Sequence, residues 1–290
     1  MSKPPTLDLP AGARAFRLAT ARGEFAAHEF GRAERGTALL LPGFTGSKED
    51  FIALLEPLAE AGFRVVAVDG RGQHESAGPR DEAAYGQDEL ASDVLALLAA
   101  VGGPCHLVGH SLGGQIARAA VLRDASRVAS LTLMSSGPAA VCAAQQARLK
   151  MLLGALTVMD MEAVWQAMRE LDPPEAADEQ TPPAVREFLH RRWINTAPEQ
   201  LSATAQQLLG EPDRVPELAA LPLPLHVLSG ERDYVWPVPL LDGMAARLGA
   251  RRTVIAGAEH SPNVDRPRET ARELVRGWHE AASRADRPAD

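Results

Sequence analysis

The sequence predicts an α/β fold, a mostly parallel sheet covered by helices and interrupted by an all-helical insertion. Three observations carry this. Short β-type runs alternate with helical patterns through the first half, the order that builds a parallel sheet with helices on its faces. From Pro138 to about Pro216 no convincing strand occurs while helical spacing persists. The β rhythm then returns at Leu223–Gly230 and at Arg252–Ala256.

In chain order, the first predicted strands are Phe25–Phe30, Thr37–Leu41, Arg64–Asp69, Cys105–Gly109 and Val128–Ser135. Helices are expected between them at about Glu49–Ala61, Gln87–Ala100 and Leu112–Arg123. Within the insertion, Leu149, Leu152, Leu153 and Leu156, then Met161, Val164, Trp165 and Met168, recur at i, i+3, i+4 and i+7, which is one face of a helix. Asp160 is expected to cap the second of these. Thr181 before Pro182 reads as another helix start, because a first-turn proline loses no hydrogen bond. A helix falls between the last two strands, and a final one runs from about Arg268 to Ala282 before a polar, frayed tail. The expected organisation is one core domain from 1–137 and 217–290, with 138–216 inserted as a helical unit.

Composition narrows the class. At 290 residues, 46% hydrophobic and 23% charged, the chain suits an ordinary globular protein with a full core. The net charge of -8 comes with no basic stripe, which argues against nucleic acid as a partner. Two cysteines, Cys105 in a buried strand and Cys142 in a helical region, make no disulfide framework. Residues 1–14 lack the apolar run of a secretory signal, and no stretch of about 18 apolar residues could span a bilayer. These features predict a soluble, cytoplasmic protein.

The chemistry centres on Gly109-His110-Ser111-Leu112-Gly113, an apolar strand turning sharply into a helix. Gly109 and Gly113 supply the missing side chains that let neighbouring segments approach the serine. A serine hydroxyl is a poor nucleophile at neutral pH and needs a base within about 3 Å and a group to orient that base. His260 follows the last predicted strand and Asp233 follows the strand before it. The carboxyl ends of parallel strands share one edge, so these loops can meet at Ser111. Glu231 falls earlier in its turn and is expected to be solvated, and Asp265 to cap the last helical region. His106 and His110 are expected to be packed and hydrogen-bonded. No residue spacing indicates a metal site, and no phosphate loop is present.

Taken together, the elbow, Asp233, His260 and the loop Leu41-Pro42-Gly43-Phe44-Thr45-Gly46 resemble the α/β-hydrolase family, in which nucleophile, acid and histidine occur in that order. The resemblance runs from about Phe25 to Trp278. It implies the α/β-hydrolase fold, with Ser111, Asp233 and His260 as catalytic triad. It also implies an oxyanion hole from the backbone N–H groups of Phe44 and Leu112, aimed at charge that develops in the tetrahedral intermediate. Pro42 stands where the family more often has histidine, so that side-chain anchor is missing and proline's rigidity is expected to substitute. Asp69-Gly70-Arg71-Gly72-Gln73-His74-Glu75-Ser76 resembles the family's Asp-x-Arg-Gly-x-Gly-x-Ser turn, with His74 replacing the usual glycine. The expectation there is a structural turn held by Asp69 and Arg71, against the alternative that His74 or Glu75 lies at the pocket rim.

Inserted after Ser136, the unit 138–216 should roof the site as a lid. Met151, Met159, Met161, Met168, Trp165 and Trp193 would line a pocket or form a helix-pair core, and both readings stay open. The resemblance implies a cofactor-independent serine hydrolase, carboxylesterase-like, that cleaves an ester, thioester, lactone or amide through an acyl-enzyme. Its partner would be a small to medium, partly apolar acyl substrate. Acyl transfer, carbon–carbon bond hydrolysis and perhydrolysis on the same triad, or a ligand receptor of this fold with very slow turnover, remain as alternatives.

Overall fold

A computed structural model of the chain describes residues 1–171 and 181–285. Residues 172–180 of the predicted insertion and 286–290 of the predicted tail lie outside the described residues. Strands β1 (Arg14–Thr20), β2 (Gly23–Phe30), β3 (Gly36–Leu41), β4 (Phe63–Val68), β5 (Cys105–His110), β6 (Val128–Met134), β7 (Leu225–Gly230) and β8 (Arg251–Ile255) form one sheet. Its order is β1-β2-β4-β3-β5-β6-β7-β8. Only the β1–β2 and β2–β4 pairings are antiparallel. The carboxyl ends of β3 to β8 therefore share one edge, which is where the chemistry-bearing loops start.

Helices α1 (Ile52–Glu60), α2 (Gln87–Val101) and α3 (Leu112–Arg123) connect the early strands, and α9 (Val238–Leu248) connects β7 to β8. The short α10 (Pro262–Asp265) and the long α11 (Pro267–Ala285) follow β8. Period-2 alternation in the strands feeds two cores. Leu39, Leu41, Val66 and Val68 pack with α2 and α3 on one face. Ala38, Leu40, Val65 and Ala67 pack with α1 and α11 on the other. A strand buried on both faces reads as a continuous apolar run, which is why these strands are visible in sequence.

Several expectations needed correction. The sheet begins one strand earlier than expected, because in β1 only Leu18 is buried and a largely exposed hairpin strand carries little hydrophobic signal. The helix expected from Glu49 opens as a 3-10 turn, Lys48–Phe51, before α1. The last helix continues to Ala285.

Between β6 and β7 lie α4 (Ala143–Leu156), α5 (Met161–Leu171), α6 (Pro183–Asn195), α7 (Pro198–Gly210) and α8 (Val215–Ala219). Asp160 caps α5 as expected, its Oδ1 accepting the Ala163 N–H at 2.8 Å. The start of α6 is one residue later than expected, with Pro182 as N-cap and Pro183 at the first helical position. Val164, Trp165, Phe188, Leu189, Trp193 and Leu201 close into a core of their own. No helix among the described residues is long and apolar enough to cross a membrane.

Candidate active site

The turn between β5 and α3 puts Ser111 at φ 53°, ψ -119°, a sparsely populated conformation for a residue with a side chain. Close packing holds it there. A Cβ on Gly113 would lie 2.5 Å from the Pro42 carbonyl oxygen, and one on Gly109 would overlap the Gly113 backbone. The Ser111 N–H donates to the Met134 carbonyl at 2.9 Å, tying the elbow to β6.

The structure brings Ser111, His260 and Asp233 together from three strand ends. Ser111 Oγ lies 3.0 Å from His260 Nε2, and His260 Nδ1 lies 3.0 Å from both carboxylate oxygens of Asp233. A carboxylate only accepts, so Nδ1 carries the hydrogen and Nε2 presents its lone pair to the serine hydroxyl. The Asp233 side chain is fully buried. Its Oδ1 also accepts the N–H groups of Val235 at 2.8 Å and Trp236 at 3.0 Å, which fix its orientation. The Trp236 indole in turn donates to Ala139 at 2.9 Å, linking this loop to the segment after β6.

Two nearby carboxylates, Asp265 and the solvent-exposed Glu231, act on the loop that carries His260. Asp265 Oδ2 accepts the Glu259 N–H at 2.8 Å, and Glu231 Oε2 accepts the Gly257 N–H at 2.9 Å. Both brace the loop that carries His260; Glu231 is solvated as expected, whereas Asp265 was expected to cap a helix. His110 donates from Nε2 to the His260 carbonyl at 2.9 Å. Burial pushes its pKa down to about 3, so this ring is neutral. His106 bonds Ser130 at 2.8 Å and stacks on Trp278. Both histidines are packed and hydrogen-bonded, as expected.

Leu112 follows Ser111 in the chain, and Phe44 lines the same cavity as Ser111. Leu112 is the first residue of α3, whose opening N–H groups have no intrahelical acceptor and whose dipole favours negative charge. The Gly43-Phe44 loop packs against the elbow, with a Cβ on Gly43 falling 3.2 Å from Ser111 Cβ. A cavity of about 160 Å³ opens over Ser111 and His260. Val141, Gln145 and Leu149 from the start of the helical block and Leu208 from α7 line it, together with Met1 and Ser2. The six methionines and tryptophans singled out in sequence do not line it. Trp165, Trp193, Met161 and Met168 belong to the core of the helical block, and Met151 and Met159 are exposed. No sequence signal marks Met1 and Ser2, whose contacts are with residues far along the chain. Arg192 donates to the Ser2 carbonyl at 2.8 Å, and the Ser2 and Ser261 hydroxyls are 3.0 Å apart.

The Asp69–Ser76 turn is structural. Asp69 Oδ1 accepts the Lys48 N–H at 2.7 Å and its Oδ2 accepts from Lys48 Nζ at 3.1 Å. Arg71 Nε donates to Asp93 at 2.6 Å. His74 is buried against Phe188, and burial pushes it down to about 4. Glu49, His74 and Glu75 do converge, their ligand-type atoms lying within 4.8 Å of one another, a grouping that sequence spacing did not reveal. The Lys48 ammonium is already 2.8 Å from Glu49 and 2.9 Å from Glu75. Burial opposes that charge, but Asp69 and Glu49 outweigh it and raise the lysine's pKa.

Residues 38–273 match the model of the alpha/beta hydrolase family. Over 107 residues the chain is 41% identical to RutD of Variovorax paradoxus, assigned as a carbamate hydrolase, a match spanning 37% of this chain and 40% of that protein. It is 29% identical over 223 residues to a pimeloyl-(acyl-carrier protein) methyl ester esterase of Aeromonas hydrophila, covering 73% of this chain and 84% of the relative. The crystal structure of a hydrolase from Pseudomonas aeruginosa PA01 is similar with a TM-score of 0.74 and 26% identity, over 93% of this chain and 99% of that one.

Proposed function

Since this chain belongs to the alpha/beta hydrolase family and is an enzyme of the hydrolase class with esterase-like relatives, we propose that it cleaves a small carboxylic ester through an acyl-enzyme on Ser111. The observation that carries the reading is the continuous hydrogen-bonded chain from Ser111 Oγ through His260 to Asp233, each step 3.0 Å long.

His260 Nε2 takes the hydroxyl proton as Ser111 Oγ bonds to the acyl carbon, and the carbonyl electron pair moves onto oxygen. The N–H groups of Phe44 and Leu112 receive that oxyanion; such a donor contributes about 3 kcal/mol in the transition state. The imidazolium then protonates the departing alcohol oxygen as the ester bond breaks. Water, deprotonated by the same nitrogen, attacks the acyl-enzyme, and the proton returns to Ser111 as the acid leaves. Asp233 stays ionised throughout and holds the Nδ1–H. Atoms and protons balance without a cofactor.

In this reading residues 138–216 form a lid inserted between the core segments 1–137 and 217–290. Val141, Leu149 and Leu208 give the cavity an apolar wall beside Gln145 and Tyr234. At about 160 Å³ it is smaller than a typical drug-sized pocket, which supports a short acyl or alkyl group over a long chain. Of the ester named for the Aeromonas relative, only the methyl half is in that range; the pimeloyl half is a long chain. The compartment proposed is the cytoplasm, with the free thiols Cys105 and Cys142 as its support.

The test is Ser111→Ala against p-nitrophenyl acetate and butyrate, with fluorophosphonate labelling read by intact mass. Loss of turnover and of the adduct is expected. Turnover equal to that of the unmodified protein would overturn the reading.

A further inference from the structure

The loop between β3 and the Lys48 turn lacks a side-chain anchor at Pro42, yet it is held from outside. Gln73, on the turn after β4, is 5% exposed. Its Nε2 donates to the Gly43 carbonyl at 2.8 Å and reaches the Phe44 carbonyl at 3.2 Å. Its Oε1 accepts the Gly70 N–H at 3.0 Å. Both ends of the carboxamide are engaged, and so its orientation is determined.

The platform under Gln73 is itself rigid. Gln73 N–H donates to the Gly70 carbonyl at 3.0 Å and its carbonyl accepts the Ser76 N–H at 2.8 Å. Asp69, on the same turn, receives the Lys48 N–H at 2.7 Å. The loop 43–48 is thus cross-braced to the turn 69–76 at both of its ends.

The Gly43 carbonyl and the Phe44 N–H belong to one peptide unit. A trans peptide is planar, so its C=O and N–H point in opposite directions. Gripping the carbonyl fixes the direction of the N–H and blocks a flip of that unit. A hydrogen bond accepted at the carbonyl also polarises the N–H and makes it a better donor. We propose that Gln73 is a positioning residue for the oxyanion site: its carboxamide holds the Gly43–Phe44 peptide with the Phe44 N–H turned toward the acyl oxygen. This rests on the serine-hydrolase reading above.

Gln73→Met keeps length and volume but removes the donors and the acceptor. Gln73→Glu keeps an acceptor for Gly70 and sets an oxygen against two carbonyls. Removing an oxyanion donor outright costs about 10²–10³ in kcat, and mis-aiming one should cost part of that. For p-nitrophenyl acetate we expect kcat to fall about 10-fold to 100-fold in both variants, with KM within about 3-fold. A trifluoromethyl ketone, whose serine adduct carries the oxyanion, should lose affinity by a factor similar to the loss in kcat. Urea unfolding identifies which variants are folded, and either folded variant decides the matter. A folded variant with kcat within about twofold of the parent, or with the loss confined to KM, overturns the proposal. Ser111→Ala run in parallel separates the two failures. If it keeps its turnover, the serine-hydrolase reading falls; if it loses turnover while Gln73→Met does not, only the role of Gln73 falls.

Discussion

Arg192, in the helical block, donates from Nη1 to Asp50 Oδ1 in the core at 2.7 Å, with both side chains essentially inaccessible to water. Burial pushes the Asp50 carboxyl up and Arg192 pulls it back. The same guanidinium holds the Ser2 carbonyl, so one side chain joins the helical block, the core and the segment beside Ser111. Removing one partner of a buried pair leaves an uncompensated charge and costs about 3–5 kcal/mol. Arg192→Met should lower the unfolding free energy by that amount, read as a lower urea midpoint, and Asp50→Leu combined with Arg192→Leu should recover much of it. Equal midpoints for the parent and Arg192→Met would show that the pair is not buried as described.

Asp233→Asn changes charge but hardly changes shape. The amide would donate to Nδ1 or leave it unpaired, favouring the tautomer that puts hydrogen on Nε2, where the serine proton must go. A fall in kcat of up to about 10⁴ is expected, with little change in KM, measured with p-nitrophenyl butyrate. The Val235 and Trp236 N–H groups can still bond the amide oxygen, so the unfolding midpoint should move far less than the rate.

Ser2 lies on the cavity wall, where a larger side chain narrows the space over Ser111. Ser2→Trp is expected to lower kcat/KM for p-nitrophenyl butyrate more than for the acetate, by about 10-fold in the ratio, since a methylene or two in a tight apolar pocket is worth roughly 1–3 kcal/mol. An unchanged acetate-to-butyrate ratio would place the acyl chain elsewhere.

Acid should destabilise this protein through its buried imidazoles. Burial pushes His110 and His226 down to about 3, the latter aided by Arg251 and Arg252. It pushes His28, His74 and His106 down to about 4. In the unfolded chain these rings take protons near pH 6.5, so between there and pH 4 the unfolded state binds more protons. Stability is then complete above about pH 6.5 and falls as the pH drops toward 4, by at most about 1.4 kcal/mol per ring per pH unit. Asp69, pushed up to about 7 by burial, and Asp50 and Asp265, also raised by burial, work in the opposite direction but are outnumbered by the five rings. Urea midpoints at pH 7.5 and 5.0 measure this; a midpoint that does not fall at pH 5.0 contradicts it.

Much of the site was legible because its parts are local. Ser111, Asp233 and His260 each follow a strand end, and the apolar runs that announce β5, β7 and β8 locate those ends. The parallel order of the sheet, itself implied by β/α alternation, brings them to one edge. Exposed β1 was not legible because it buries too little to show a period. The lining of the cavity was not legible because Leu149 and Leu208 sit on helices whose apolar faces serve both a core and a wall.

By itself the sequence determined which three residues meet at the sheet edge, Ser111, His260 and Asp233, together with the sheet that gathers them, since backbone turns and burial patterns are written in neighbouring residues. Tertiary structure alone decided what braces that machinery. Gln73 meets Gly43 across 30 residues and Arg192 meets Asp50 across 142. These are polar side chains that would otherwise face water, and only the packing of distant segments turns them inward and gives each a partner.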